Sequence, residues 1–234
     1  MAEENTLLAN RKTAMVNPLK KLFFWRNYST AQHSEWWKKR EINFEAEFDT
    51  WQHPHRLLIC HFLSLLSWDN LMEIGFGGGA NLRAIAGTFK GKRLVGTEIN
   101  KKAIEHIRSS NKFKGLEVRE CPATDLFMSD KGVQVALTDM VLIYVGPFSI
   151  IKALGEIKRT TTDYILLCEF HHKSWFKRWW LRIRTGYHSY NYKKLLERLG
   201  FYDIVIHPIT KEQWPDAKYN AEFRHIVMAK VPNR

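Results

Sequence analysis

Cysteine is scarce: Cys60, Cys121 and Cys168 are the only three in 234 residues, with no CxxC pair or metal-ligand spacing. That argues against a disulfide framework or a zinc module, and no metal is expected. It predicts buried small hydrophobes in a reducing compartment, the cytoplasm. Long apolar runs are lacking as well; LLICHFLSLLSW (57–68) is too short and too interrupted to span a membrane, so no transmembrane segment is expected. The opening MAEENTLLANRK lacks the basic-then-apolar order of a signal peptide. Internal repeats, low-complexity tracts and a Pro/Gly/Ser linker are missing too, so one domain with an N-terminal extension is the simplest organisation. Acids are outnumbered, 24 against 36 Lys and Arg, for a net charge of +12. This favours anionic partners (nucleic acid, phosphorylated small molecules, a membrane surface) or simple solubility, and charge alone does not choose.

What is present is regular punctuation from residue 70 onward. Strands are predicted at 71–75, 93–99, 116–121, 133–139, 163–170, 202–209 and 223–231, with helices between most of them. Asn100 reads as the cap of a helix carrying Ile104 and Ile107, and Gly200 as the stop of the helix in YNYKKLLERLGF. Strands alternating with helices predict a doubly wound, mostly parallel seven-stranded sheet with helices on both faces. Between 209 and 223 there is no room for a helical crossover, so the last strand must pair antiparallel and form a C-terminal hairpin.

LMEIGFGGGANL (71–82) is the richest stretch in chemistry. Gly75, Gly77 and Ala80 satisfy the G-x-G-x-x-G/A dinucleotide fingerprint, and Glu98 lies where a ribose-binding acid belongs. Glu73 argues against a pyrophosphate, because a carboxylate at the strand end repels a diphosphate in a poorly screened crevice. The same carboxylate suits a ligand carrying an ammonium and a sulfonium, as S-adenosylmethionine does.

From about residue 55 to 231 the chain resembles the class I S-adenosylmethionine-dependent methyltransferases. The acid-x-Gly-x-Gly-x-Gly signature stands as Glu73-Ile74-Gly75-Phe76-Gly77-Gly78-Gly79, the second-strand acid as Glu98 in VGTEIN, and the small-polar-acid cluster as Ala123-Thr124-Asp125. The fourth strand ends as ALTDMVLIYV, with Tyr144 where histidine is more usual. The resemblance implies S-adenosylmethionine as cofactor. It implies contacts at Glu73, Gly75, Phe76, Gly77, Gly79, Asn81, Glu98, Ile99, Ala123, Thr124, Asp125, Thr138 and Asp139. It also implies a lid, residues 1–54, over the methyltransferase domain at 55–234.

Each residue has a plainer alternative: Glu98 as a surface acid, Asp125 as a turn cap, Tyr144 as core packing. Methyl transfer needs chiefly approach geometry, and a base only for a weak nucleophile. Asp139 and His171, after strands four and five, are the catalytic candidates, with Glu169 and His172 nearby. The D/N-P-P-Y motif of nucleic-acid amine methylation is replaced by TDMV. A small acidic or aromatic acceptor is therefore expected, with RNA or another nucleic acid as the alternative and a non-catalytic cofactor-binding protein as a second. Trp37, Trp51, His53, Arg56, Tyr144, Trp175 and Tyr187 are the acceptor-site candidates; His55 accompanies His53, though His-x-His is poor metal spacing. Eight of nine tryptophans, all but Trp68, are expected around one opening. The segment 171–194 carries seven Lys/Arg and no acid. If it is helical from about 173, Trp175, Phe176, Trp179, Trp180 and Ile183 share a face. It reads as a cap insert (about 171–190) packing that face on the core, as an acceptor pocket, or as a surface for nucleic-acid phosphates or a membrane through 173–184.

Overall fold

Seven strands in the order β3-β2-β1-β4-β5-β7-β6 form one sheet in the computed structural model, which describes residues 30–110, 116–215 and 220–232. Strands β1 (Asn70–Ile74), β2 (Arg93–Glu98), β3 (Glu117–Glu120), β4 (Val133–Asp139) and β5 (Thr161–Phe170) are mutually parallel. The final hairpin, β6 (Tyr202–Pro208) and β7 (Arg224–Lys230), is antiparallel, and β7 inserts between β5 and β6. The expected sheet and its C-terminal hairpin are therefore observed.

Helices cover both faces because the strands alternate their apolar side chains. Along β1, Leu71 joins one core with Ile59 and Leu63 of α3 (Pro54–Ser64), Ile85 of α4 (Ala80–Thr88) and Ile104 and Ile107 of α5 (Lys101–Ser109). Met72 and Ile74 join the other, with Leu154 and Ile157 of α6 (Ile150–Thr160) and Leu196 of α8 (Tyr192–Arg198). Local chemistry sets the ends as expected. Pro54 opens α3, the Asn100 side chain accepts from the Lys102 N–H, and Gly200 takes φ 84° beyond α8.

Ahead of this sheet, α1 (Thr30–Lys39) and α2 (Phe44–Phe48) lead into α3. The Asn100 amide donates to the carbonyls of Trp37 and Arg40, and the Thr30 hydroxyl accepts from the Gly146 N–H, tying this segment to the carboxyl side of the sheet. Trp25 and the rest of residues 1–29 lie outside the described residues.

The basic aromatic segment departs from expectation. It forms α7 (Trp175–Thr185), capped by Ser174, but its rings do not pack on the core. Only Leu181 is buried; Trp175, Phe176, Trp179 and Trp180 are exposed. Among the described residues no helix is long and apolar enough to cross a membrane.

Candidate active site

The carboxyl ends of β1, β2 and β4 open onto a cavity of about 290 Å³. Its floor is the glycine loop. Gly75, Gly77 and Gly79 all have positive φ, which side chains resist, and a Cβ on Gly75 would meet Val141 at 2.5 Å. The loop is held from below as well, since Gly75 and Phe76 both donate to the Thr97 carbonyl.

Glu98, buried at the end of β2, accepts from the N–H groups of Gly77, Ile99 and Asn100. Burial pushes its carboxyl upward, and those three donors oppose the shift. Glu73, fully buried on β1, accepts from the Asn81 amide at 2.8 Å. Burial, opposed by Asn81 and reinforced by Asp139, raises it to about 8.

Asn81 also donates to Asp139 at 3.0 Å and accepts from Arg56 at 2.7 Å. Asp139 is further paired with His55 at 3.1 Å and Arg56 at 3.5 Å. Burial alone would raise the Asp139 carboxyl, but these partners outweigh it and hold it well below the usual carboxylate range. His53 Nδ1 accepts from the His55 backbone N–H and lies 2.6 Å from His55 Nδ1. The two ring nitrogens of His55 thus face His53 Nδ1 on one side and the Asp139 carboxylate on the other. Trp214, from the loop before β7, stacks on His55 at 4.0 Å and 8°.

Glu47 of α2 comes down onto the glycine loop, where a Cβ on Gly77 would meet its Oε1 at 2.9 Å. Burial raises this carboxyl too. One oxygen each of Glu47, Glu73 and Asp139 is buried without a hydrogen-bond partner among the described residues. Three carboxyl groups around one cavity, each with a buried oxygen lacking a partner, suit a cationic ligand, which would favour their ionised forms. The donor set thus fits an ammonium and a sulfonium.

The rest of the lining is aromatic and neutral: His33, Trp37 and Tyr144, with Thr30, Ser34 and Val145. Trp37 and His33 meet the Tyr144 ring edge-on at 5.1 and 5.6 Å. Burial lowers His33 from its ordinary value, which keeps it neutral. Burial and the neighbouring Tyr187 raise the Tyr144 hydroxyl, so it stays protonated.

The fold carries the parallel sheet and terminal hairpin of a known class, and residues 71–163 match the family model for a methyltransferase domain. Residues 71–163 thus carry a methyltransferase domain. None of the curated proteins matches the sequence. Among solved structures, the chain resembles a Haloferax volcanii putative methyltransferase in complex with the Trm112 activator. That match has TM-score 0.60 and 16% identity, over 83% of this chain and 100% of that one. It also resembles a Thermotoga maritima S-adenosylmethionine-dependent methyltransferase, a possible histamine N-methyltransferase (0.56, 15%, 78% and 89%). A third likeness is Haemonchus contortus phosphoethanolamine N-methyltransferase 2 bound to S-adenosyl-L-methionine (0.56, 16%, 76% and 52%).

Of the residues expected at the site, Glu73, Gly75, Phe76, Gly77, Asn81, Glu98, Ile99, Ala123, Thr124, Asp139, Trp37, Arg56 and Tyr144 line the cavity. Gly79, Asp125 and Thr138 do not; Gly79 caps α4, and Thr138 is buried in β4. His171 is turned away, its Nδ1 accepting from the Tyr192 N–H, and burial drops it to about 4. Glu169 accepts from the N–H groups of Val141 and Leu142 and so supports the loop after β4. Trp51 packs under Arg83, His53 backs His55, and Tyr187 backs Tyr144. Trp36, Trp51, Trp175, Trp179 and Trp180 do not line the cavity, so among the described residues the expected ring of tryptophans reduces to Trp37 and Trp214. Glu47, His33 and Thr30 were not expected. Glu47 had a local signal, the Asn43 cap before FEAEF, but its target lies 30 residues away at Gly77.

Proposed function

We propose that this methyltransferase binds S-adenosylmethionine beside the glycine loop and passes its methyl group to a small, neutral aromatic acceptor. The observation that carries the reading is the trio of buried, under-satisfied carboxylates, Glu47, Glu73 and Asp139, around one cavity. When bound, the cofactor supplies a methyl group already activated on a sulfonium. Glu73 and Glu47 hold the ammonium, Glu98 takes the ribose hydroxyls, and Ala123 and Thr124 border the base. Asp139 orients the acceptor side while His55 and Arg56 fix its carboxylate. Since the leaving sulfur needs no proton, positioning supplies most of the rate, on the order of 7–11 kcal/mol.

The acceptor class rests on the remaining lining. Arg56 is the one Lys or Arg in the described lining, and Asn81 and Asp139 already engage it. An acidic acceptor would compete with both. His33, Trp37 and Tyr144 instead offer ring edges and a hydroxyl donor. Within the described part of the N-terminal extension, Thr30, His33, Ser34, Trp37 and Glu47 act as a lid that excludes water from the transfer. The three free thiols suit a cytoplasmic setting.

Methyl-tritiated S-adenosylmethionine, incubated with the protein and fractionated cell extract, tests the reading. Label is expected in the small-molecule fraction and lost with Tyr144→Ala. Label in RNA, or in no fraction, contradicts it.

A further inference from the structure

An amphipathic helix of a soluble domain normally turns its apolar face inward. Helix α7 does the reverse. At 100° per residue, Trp175, Phe176, Trp179, Trp180 and Ile183 fall within an arc of about 140°. Leu181, the residue that reaches the core, lies on the opposite side, about 170° from the arc's centre. The rings are 70%, 55%, 48% and 53% exposed, in order. Lys177 and Arg184 border the arc on one side, Arg178 and Arg182 on the other, and the helix contains no acid.

We propose that α7 is a membrane-surface anchor: its aromatic face enters the headgroup and acyl boundary of an anionic phospholipid layer, and its flanking bases meet the lipid phosphates. Tryptophan suits that boundary because its ring is largely apolar and its N–H stays wet. The charge pattern is complementary as well. Arg178 donates to the carbonyls of His172 and Lys173, and Arg184 to the Asn220 amide oxygen, so neither has its charge cancelled by those contacts. Lys177 pairs with Glu222, but both are half exposed and the pair is open to exchange. The chain's net charge of +12 acts in the same direction.

Nucleic acid suits this face less well. Successive rings lean on one another, Trp175 to Phe176 at 85°, Phe176 to Trp179 at 32° and Trp179 to Trp180 at 41°, and so share the faces that bases would stack on. The face is also convex, whereas single strands are held in grooves. The inference is independent of the acceptor, since none of these rings lines the cavity.

Co-sedimentation of the full chain with phosphatidylcholine vesicles, with and without phosphatidylglycerol, tests it. Anionic lipid is expected to raise the bound fraction about tenfold or more. The triple variant Trp175→Ser/Trp179→Ser/Trp180→Ser should lose that binding while keeping the wild-type melting temperature and S-adenosylmethionine affinity. No sedimentation of wild type with anionic vesicles overturns the proposal, as does undiminished sedimentation of the triple variant. So does a wild-type dimer that the variant converts to monomer, which would give this face to a second copy. RNA-oligonucleotide binding lost in the variant, without vesicle binding, would assign it to nucleic acid.

Discussion

Asp139 and His55, 84 residues apart in the chain, meet at 3.1 Å in the floor of the cavity. The contact joins the end of β4 to the start of α3, and Trp214 closes it from the C-terminal hairpin by stacking on the imidazole. Arg56 and Asn81 complete the cluster and carry it to Glu73. A cofactor platform and its roof are thus fastened by one buried polar network.

Removing one member should cost far more than an exposed ion pair. Asp139→Ala leaves His55 and Arg56 without their carboxylate, and unfolding by urea should show a loss of about 3–5 kcal/mol. Methyl transfer should fall with it. A loss below about 1 kcal/mol, the scale of surface pairs, would mean that the network is not buried as described.

Glu73 gives the site a pH signature. Its folded carboxyl titrates near 8 against an ordinary value of 4.5, so its protonated form is favoured in the free protein. The sign follows: its contribution to stability is complete below about 4.5 and declines as pH rises toward 8. A cationic ligand prefers the carboxylate. Binding should therefore release a proton near neutral pH and tighten with pH until about 8. Calorimetry in buffers of different ionisation enthalpy reads this directly, and Glu73→Gln should abolish the buffer dependence.

Gly77 combines φ 54° with a Cβ position 2.9 Å from Glu47. Gly77→Ala should cost about 1–2 kcal/mol in backbone strain, with weaker cofactor binding. Glu47→Ala relieves the contact but not the φ, so the double variant should recover only part of the loss. Full recovery in a binding titration would make the side-chain contact, rather than the backbone, the cause.

The sheet was legible because its determinants are local: alternating apolar strands, Asn100 as a cap, Gly200 as a stop. The glycine loop and Glu98 were legible for the same reason, both lying within one strand-helix-strand unit. The helix at 175–185 was legible as a helix, but its orientation was not. Periodicity locates an apolar face without saying which way it points, and Leu181 alone decided that. Glu47 and the His55 pairing needed contacts across 30 and 84 residues, which spacing does not encode. His171 follows a strand end as expected, yet its ring bonds to the Tyr192 N–H and leaves the cavity.

The most direct measurement is a calorimetric titration of S-adenosylmethionine into wild type and Glu98→Ala. Glu98 accepts from the Gly77 N–H of the glycine loop and from the Ile99 and Asn100 N–H groups just after β2, so its loss should weaken micromolar binding by about 1–3 kcal/mol. Wild type that ignores S-adenosylmethionine but retains a nicotinamide dinucleotide would contradict the account at its centre, because the under-satisfied acids of this cavity call for a cation.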